Sequence, residues 1–152
     1  MAAVELYTDG SSLGNPGPGG YGIILRYGPH EKEMSAGYRH TTNNRMELMA
    51  LIMGLEALTR PGLEVDVYSD SKYVVDSIEK GWLYGWAKKG FVGKKNADLW
   101  QRMIPLLKKH KVRLHWVKGH NNHPMNERCD RLAVAAASGE NLMVDTGFNS
   151  PD

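Results

Sequence analysis

Two short runs constrain this chain more than anything else in it: Tyr7-Thr8-Asp9-Gly10-Ser11-Ser12 and Tyr68-Ser69-Asp70-Ser71. Val4, Leu6 and Thr8 recur at every second position before Asp9, and Val65, Val67 and Ser69 do so before Asp70. Alternation of that period, rich in β-branched residues, reads as a strand. Each strand then breaks, the first at Gly10-Ser11-Ser12 and the second into a helical pattern from Ser71. A carboxylate therefore stands at the C-terminal end of two separate strands. Ligands of α/β sheets sit beyond those ends, where strand order reverses. Two solvated turn residues would give the same pattern, so the reading depends on whether other chemistry converges there.

The remaining elements follow in order. Residues 3–9 form the first strand. The stretch Gly14-Asn15-Pro16-Gly17-Pro18-Gly19-Gly20 reads as an irregular turn. It leads into a strand rather than a helix, so it lacks the helix N-terminus of a phosphate-cradling loop. Residues 21–27 and 33–40 are two further strands, giving an antiparallel meander. Thr41-Thr42-Asn43-Asn44 supplies capping side chains for a helix that runs to about residue 59, ahead of Pro61-Gly62. That helix is apolar on almost every side, so it is expected to be buried. Glu47, in its first turns, is then either an N-terminal acid favoured by the helix dipole or a paired or liganded group, because an isolated buried charge is costly. Strand four spans 64–69 and a short helix runs from 71 to about 79. A basic, aromatic segment covers 80–96, and a helix over 97–110 should bend at Pro105. Strand five is 112–117, and a last helix over 126–138 carries Asp130 early. The Asn/Gly/Ser/Pro-rich tail from Gly139 is expected to pack loosely.

At 152 residues the chain reads as a single domain (1–152), large enough to bury roughly 70% of its unfolded surface. Its lone cysteine, Cys129, excludes an internal disulfide and a Cys-rich zinc site. Glu5 and Asp9 come too early for a signal peptide, and no apolar run reaches the ~20 residues that span a bilayer. A cytoplasmic, monomeric protein with no membrane role is expected. The net charge of +2 hides an asymmetry: residues 79–118 hold eleven Lys/Arg against two acids. Such lopsidedness, with Trp82, Tyr84, Trp86, Phe91 and Trp100 interleaved, fits a polyanion partner, although a solvated helical surface would also carry it.

Asp9, Glu47, Asp70 and Asp130 are all oxygen donors, a set suited to magnesium or manganese rather than zinc. Two carboxylates ~4 Å apart repel by about 4 kcal/mol at an effective dielectric of ~20, so clustering them implies a cation. Four acids suit a two-ion site for phosphodiester displacement. Beside a basic face, they point to phosphoryl chemistry on nucleic acid.

The chain also resembles the type 1 ribonucleases H of bacteria over essentially its whole length. The resemblance rests on Thr8-Asp9-Gly10-Ser11, the segment from Gly14 to Gly22, Thr41-Thr42-Asn43-Asn44-Arg45-Met46-Glu47-Leu48, Ser69-Asp70-Ser71, Trp116-Val117-Lys118-Gly119-His120 and Asn126-Glu127-Arg128-Cys129-Asp130. It implies an α/β fold with a five-stranded mixed sheet of order 3-2-1-4-5 flanked by helices. It implies cleavage of the RNA strand of RNA–DNA hybrids, leaving 5′-phosphate and 3′-hydroxyl ends. Asp9, Glu47, Asp70 and Asp130 match the family's metal ligands, with Mg2+ expected and Mn2+ a substitute, and His120 matches its mobile-loop histidine. Gly10, Ser11, Ser12, Asn15, Asn43 and Asn44 match the RNA-strand surface, where the 2′-hydroxyl must be read. Thr42 and Asn96 match a pocket for a DNA-strand phosphate. Trp82, Trp86, Lys88 and Lys89 match the basic protrusion that grips the DNA strand. Ser12 replaces a cysteine, His40 an Arg and Lys72 a Gln of other members, and the protrusion is short. A DNA nuclease or strand-transfer enzyme of the same fold, or a hybrid-binding module without catalysis, are the alternatives.

Overall fold

The computed structural model describes residues 3–118 and 123–148. Its elements are β1 (Val4–Ser12), β2 (Gly17–Tyr27), β3 (His30–Thr41), α1 (Asn43–Glu56), β4 (Glu64–Ser69), α2 (Lys72–Glu79), α3 (Trp82–Lys88), α4 (Ala97–Lys109), β5 (Lys111–Trp116) and α5 (Pro124–Ala137). The five strands form one sheet of order β3-β2-β1-β4-β5. β1, β2 and β3 pair antiparallel, whereas β4 runs parallel to both β1 and β5. The expected topology is therefore observed.

The two faces of the sheet are covered differently. α1 has no polar side to give to water and packs against β1 and β2, with α4 lying over it. Leu6, Ile23, Leu48, Ile52, Val67 and Trp100 are fully buried in this core. On the opposite face α5 covers β1, β2 and β3. It comes so close that a Cβ on Gly22 would sit 2.2 Å from the Cys129 carbonyl oxygen, and one on Gly37 2.1 Å from that of Ala136. Gly20 and Gly22 of β2 and Gly37 of β3 are thus the bed of α5.

Four local expectations need correction. Gly10-Ser11-Ser12 does not break the first strand: it stays paired with Tyr21, Gly20 and Gly19. The Gly/Pro segment becomes strand already at Gly17: Gly17 packs on the Leu13 backbone, Gly19 on Thr41 and Met46, and Gly20 lies under α5, none with room for a side chain. The basic segment contains a helix of its own, α3. The tail does not hang loose over its described part. Met143 bridges Tyr38 of β3, exchanging backbone hydrogen bonds of 2.8 Å with Gly37 and Arg39. Two residues on, Asp145 is buried and accepts from Thr41 Oγ1 at 2.8 Å and Arg45 Nε at 2.8 Å. Arg45 is itself buried and reaches Asp98 with its other nitrogens, at 2.9 and 2.7 Å. A buried guanidinium requires such partners, and composition alone does not reveal that one of them is in the tail. α4 continues without interruption through Pro105.

Candidate metal centre and substrate surface

Asp9 lies three residues before the end of β1 and is only 3% exposed. Glu47 reaches it because β1 and α1 touch at Gly10, where a Cβ would stand 2.3 Å from the backbone nitrogen of Glu47. That approach also lets the Glu47 carboxylate accept the Gly10 N–H. Asp70 follows the last residue of β4. The turn that holds it is fixed by Ser69 Oγ, which accepts from Ser71 N at 3.1 Å, and by Ser71 Oγ, which caps α2 by accepting from Val74 N at 3.2 Å. Trp116 Nε1 donates to the Asp70 carbonyl oxygen at 3.2 Å.

One carboxylate oxygen from each of Asp9, Glu47 and Asp70 lies within 4.8 Å of the others. Asp130 stands beside Asp9, close enough to hydrogen-bond with it. It is brought there by two pins on α5: Cys129 Sγ donates to the Tyr7 carbonyl at 3.3 Å, and Asn126 Nδ2 to the Tyr68 carbonyl at 3.0 Å. Burial, and then the nearby Asp9 charge, push the Cys129 thiol up to about 12, so it serves as packing.

The electrostatics of this cluster are those of a site short of positive charge. Burial first, then Asp70 and Asp130, push the Asp9 carboxyl up to about 9. Burial, with Asp9 and Asp70 adding to it, holds Glu47 well above the ordinary carboxylate range. Among the described residues, Asp9 Oδ2 and Glu47 Oε1 are sealed from solvent with no hydrogen-bond partner. Such orphaned acceptors are expensive. A divalent cation among these hard oxygen donors removes both the repulsion and the orphaned lone pairs, so the residues present fit one.

Next to the carboxylates, Asn43 Oδ1 accepts the Ser12 N–H at 2.7 Å, and Asn15 Oδ1 accepts the Asn43 N–H at 3.1 Å. Asn43 therefore does not cap its own helix; Thr42 does, accepting from Arg45 N at 3.2 Å. A cleft of about 700 Å3 opens beside this network, with Asn15, Thr42, Asn44, Lys95 and Asn96 on its walls and Phe148 of the tail at one side. Asn96 is fixed from two directions: its Oδ1 accepts from Arg45 Nη1 at 3.4 Å and its Nδ2 donates to Tyr73 Oη at 3.4 Å. A second cleft of about 310 Å3 lies in the basic segment, between Trp82, Trp86, Lys89, Val92 and Lys94. There Lys94 Nζ stands 5.0 Å over the Trp86 ring, which meets Trp100 edge-on at 5.8 Å.

The structure thus brings Asp9, Glu47, Asp70 and Asp130 together, sets Gly10, Ser11, Ser12 and Asn43 next to them, and groups Asn15, Thr42, Asn44 and Asn96 around the larger cleft. Trp82, Trp86 and Lys89 share the second cleft, and Lys88 ends α3 beside them. His120 lies outside the described residues. The supports were missed from sequence: Arg45, Tyr73, Trp116 and Asn126. Of these, Arg45 carried a signal, since a cation inside an otherwise apolar helix face must find acids somewhere.

Fold and site together define an α/β protein with a mixed five-stranded sheet and an acidic pocket suited to a divalent cation. Comparison with known proteins narrows this class. A family model described as RNase H matches residues 1–138. Ribonuclease H of Desulforamulus reducens is 54% identical over 150 residues, covering 95% of this chain and 94% of that protein. Ribonuclease H of Klebsiella pneumoniae is 57% identical over 153 residues, covering 97% of each. Among solved structures, LC9-RNase H1, a type 1 RNase H with the type 2 active-site motif, matches with a TM-score of 0.81 at 32% identity, over 90% of this chain and 72% of that one. LC11-RNase H1, solved in complex with RNA/DNA hybrid, matches with a TM-score of 0.69 at 25% identity, over 88% and 96%. The chain belongs to the RNase H family.

Proposed function

We propose that the protein is an endonuclease that hydrolyses the RNA strand of RNA–DNA hybrids. The observation that carries this reading is the triad of buried Asp9 with half-buried Glu47 and Asp70, an oxygen of each within 4.8 Å of the others, and Asp9 Oδ2 and Glu47 Oε1 left without a hydrogen-bond partner. These three side chains, joined by Asp130, would hold magnesium, with manganese a substitute and two ions the expected number. Bound there, the metal supplies Lewis-acid stabilisation of charge on a phosphoryl oxygen. In the reaction a water oxygen bonds to phosphorus and the P–O3′ bond breaks, leaving a 5′-phosphate and a 3′-hydroxyl.

Discrimination between RNA and DNA falls to the neighbouring asparagines. The side-chain carbonyls of Asn15 and Asn43 are committed to backbone N–H groups. Their amide nitrogens have no acceptor among the described residues and are left to donate to a 2′-hydroxyl. Thr42 and Asn96 on the larger cleft take a phosphate of the DNA strand, and Trp82, Trp86, Lys88 and Lys89 hold that strand further along. His120 is assigned proton movement or product release. The protein acts as a monomer in the cytoplasm; among the described residues no helix is long and apolar enough to cross a membrane.

The deciding experiment presents a labelled RNA–DNA hybrid, an all-DNA duplex and an all-RNA duplex, each with magnesium and with chelator. Only the RNA strand of the hybrid should be cut, and only with metal. Cutting of the DNA duplex, or cutting that survives chelation, refutes the reading.

A further inference from the structure

We propose that Lys72 grips a backbone phosphate of the strand lying across the carboxylates, and that the Trp116 ring parks its ammonium until that strand arrives. The inference rests on the hybrid-cutting function proposed above, which makes that strand the RNA.

Three observations point to it. Lys72 opens α2, two residues after Asp70, and is exposed. Trp116 ends β5, in register with Ser69 of β4, and its indole N–H is spent on the Asp70 carbonyl at 3.2 Å. That bond holds the ring against the rim of the metal centre, 44% exposed, and Lys72 Nζ stands over its face, 4.6 Å from the centroid. The third observation is a missing partner. On the same two elements Arg113 of β5 is paired with Asp66 and Glu64, and Lys80, which caps α2, with Asp76. Among the described residues no carboxylate lies in ion-pair reach of Lys72.

Its charge is therefore held by a ring alone, and a cation–π contact at an exposed site is a weak hold. A phosphate oxygen offers a charge-assisted hydrogen bond, and the flexible lysine stem can follow it. The electrostatic need is plain, since a polyanion approaching buried carboxylates meets like charge and an uncommitted ammonium on the rim offsets it. An ordinary surface lysine would not be aligned by an indole that is itself bonded to the backbone of a metal ligand.

The test is the salt dependence of hybrid binding, measured by fluorescence anisotropy on the full-length protein in chelator, for wild type, Lys72→Gln and Lys72→Arg. One lost phosphate contact lowers the slope of log Kd against log salt by about 1. Lys72→Gln should show that drop and a raised KM in magnesium, while Lys72→Arg keeps the wild-type slope. A single uncharged methylphosphonate in the RNA strand near the cut should weaken wild type and leave Lys72→Gln unaffected. Equal slopes for wild type and Lys72→Gln, or a methylphosphonate scan that never separates them, overturns the inference. Failure of wild type itself to bind hybrid would instead overturn the proposed function.

Discussion

The acidic cluster lowers the stability of the protein when no cation offsets its charge, and the size of that penalty can be worked out for Asp9. Its carboxyl sits at about 9 in the folded protein against 3.8 ordinarily, because it is buried beside Asp70 and Asp130. A folded-state value raised above the unfolded one means that the folded protein binds the extra proton between those two pH values. The stability contributed by the neutral carboxyl is fully present below about pH 4 and is lost as pH rises towards 9, at about 1.4 kcal/mol per unit. From about pH 4 to about pH 7 the loss is about 4 kcal/mol. Burial is the first cause of that shift, and repulsion adds to it: two charges at the 4.8 Å limit of the triad repel by about 3.5 kcal/mol at an effective dielectric of ~20. Asp9→Asn removes this titration. In urea melts followed by circular dichroism with chelator, the variant should be close to wild type in acid. It should become about 2–4 kcal/mol more stable by neutral pH. Magnesium should narrow the gap by stabilising wild type, by about 2.7 kcal/mol at a hundredfold excess over Kd. Stability curves for wild type and Asp9→Asn that stay parallel across the pH range would refute the account of a charge-starved pocket.

Other consequences can be measured directly. Asp70→Asn should lower hybrid cleavage by roughly 100-fold or more, since even the loss of a ligand's supporting contact costs 10–100-fold, while circular dichroism shows the fold intact. Gly22→Ala, whose Cβ would meet the Cys129 carbonyl at 2.2 Å, should lose about 1–3 kcal/mol in denaturation as α5 is lifted from the sheet. Asp145→Ala leaves buried Arg45 with Asp98 alone and should cost about 3 kcal/mol, showing in a thermal melt that the tail is part of the fold. His110 is buried, with Nδ1 accepting from Leu63 N at 3.3 Å. Burial, with Lys109 adding to it, lowers its pKa. The stability it contributes is present above its unfolded value near 6.5 and is lost as pH falls through the folded value, so His110→Gln should flatten this part of the acid limb.

The five strands could be read in the sequence because period-two alternation is a local rule, whereas their order and the joining of Asp130 to the other three acids came from the resemblance. What could not be read is held by contacts between distant segments. Gly20 looks like a turn residue by composition, yet it belongs to a strand, because seating α5 requires the absence of a side chain beneath it. Asp145 resembles any polar tail residue until Arg45 of α1 is found facing it across 100 positions of sequence. Lys72 and Trp116 are 44 residues apart, and only the parallel pairing of β4 with β5 sets them together at Asp70.

The two tasks of the site, choosing the strand and cutting it, are joined by the first turn of α1. Asn43, proposed to present an amide to the substrate, and Glu47, proposed to hold the cation, are four residues apart. Residues at that spacing share a helix face, about 6 Å apart along the axis. The turn between them cannot flex independently: Thr42 caps it, Asn15 holds its first N–H, and Gly10 lies against its backbone. Asn43 in turn grips Ser12, the end of the strand that carries Asp9. On the proposed function, a hydroxyl bound at Asn43 would be held at a fixed offset from the phosphate over the carboxylates, and a strand lacking that hydroxyl would not be registered there. The chemistry alone would cut either strand. On this geometry, specificity for RNA comes from the rigidity of that turn, so a mutation that loosens it, such as Asn15→Ala, should lower the preference for hybrid over DNA duplex more than it lowers metal affinity.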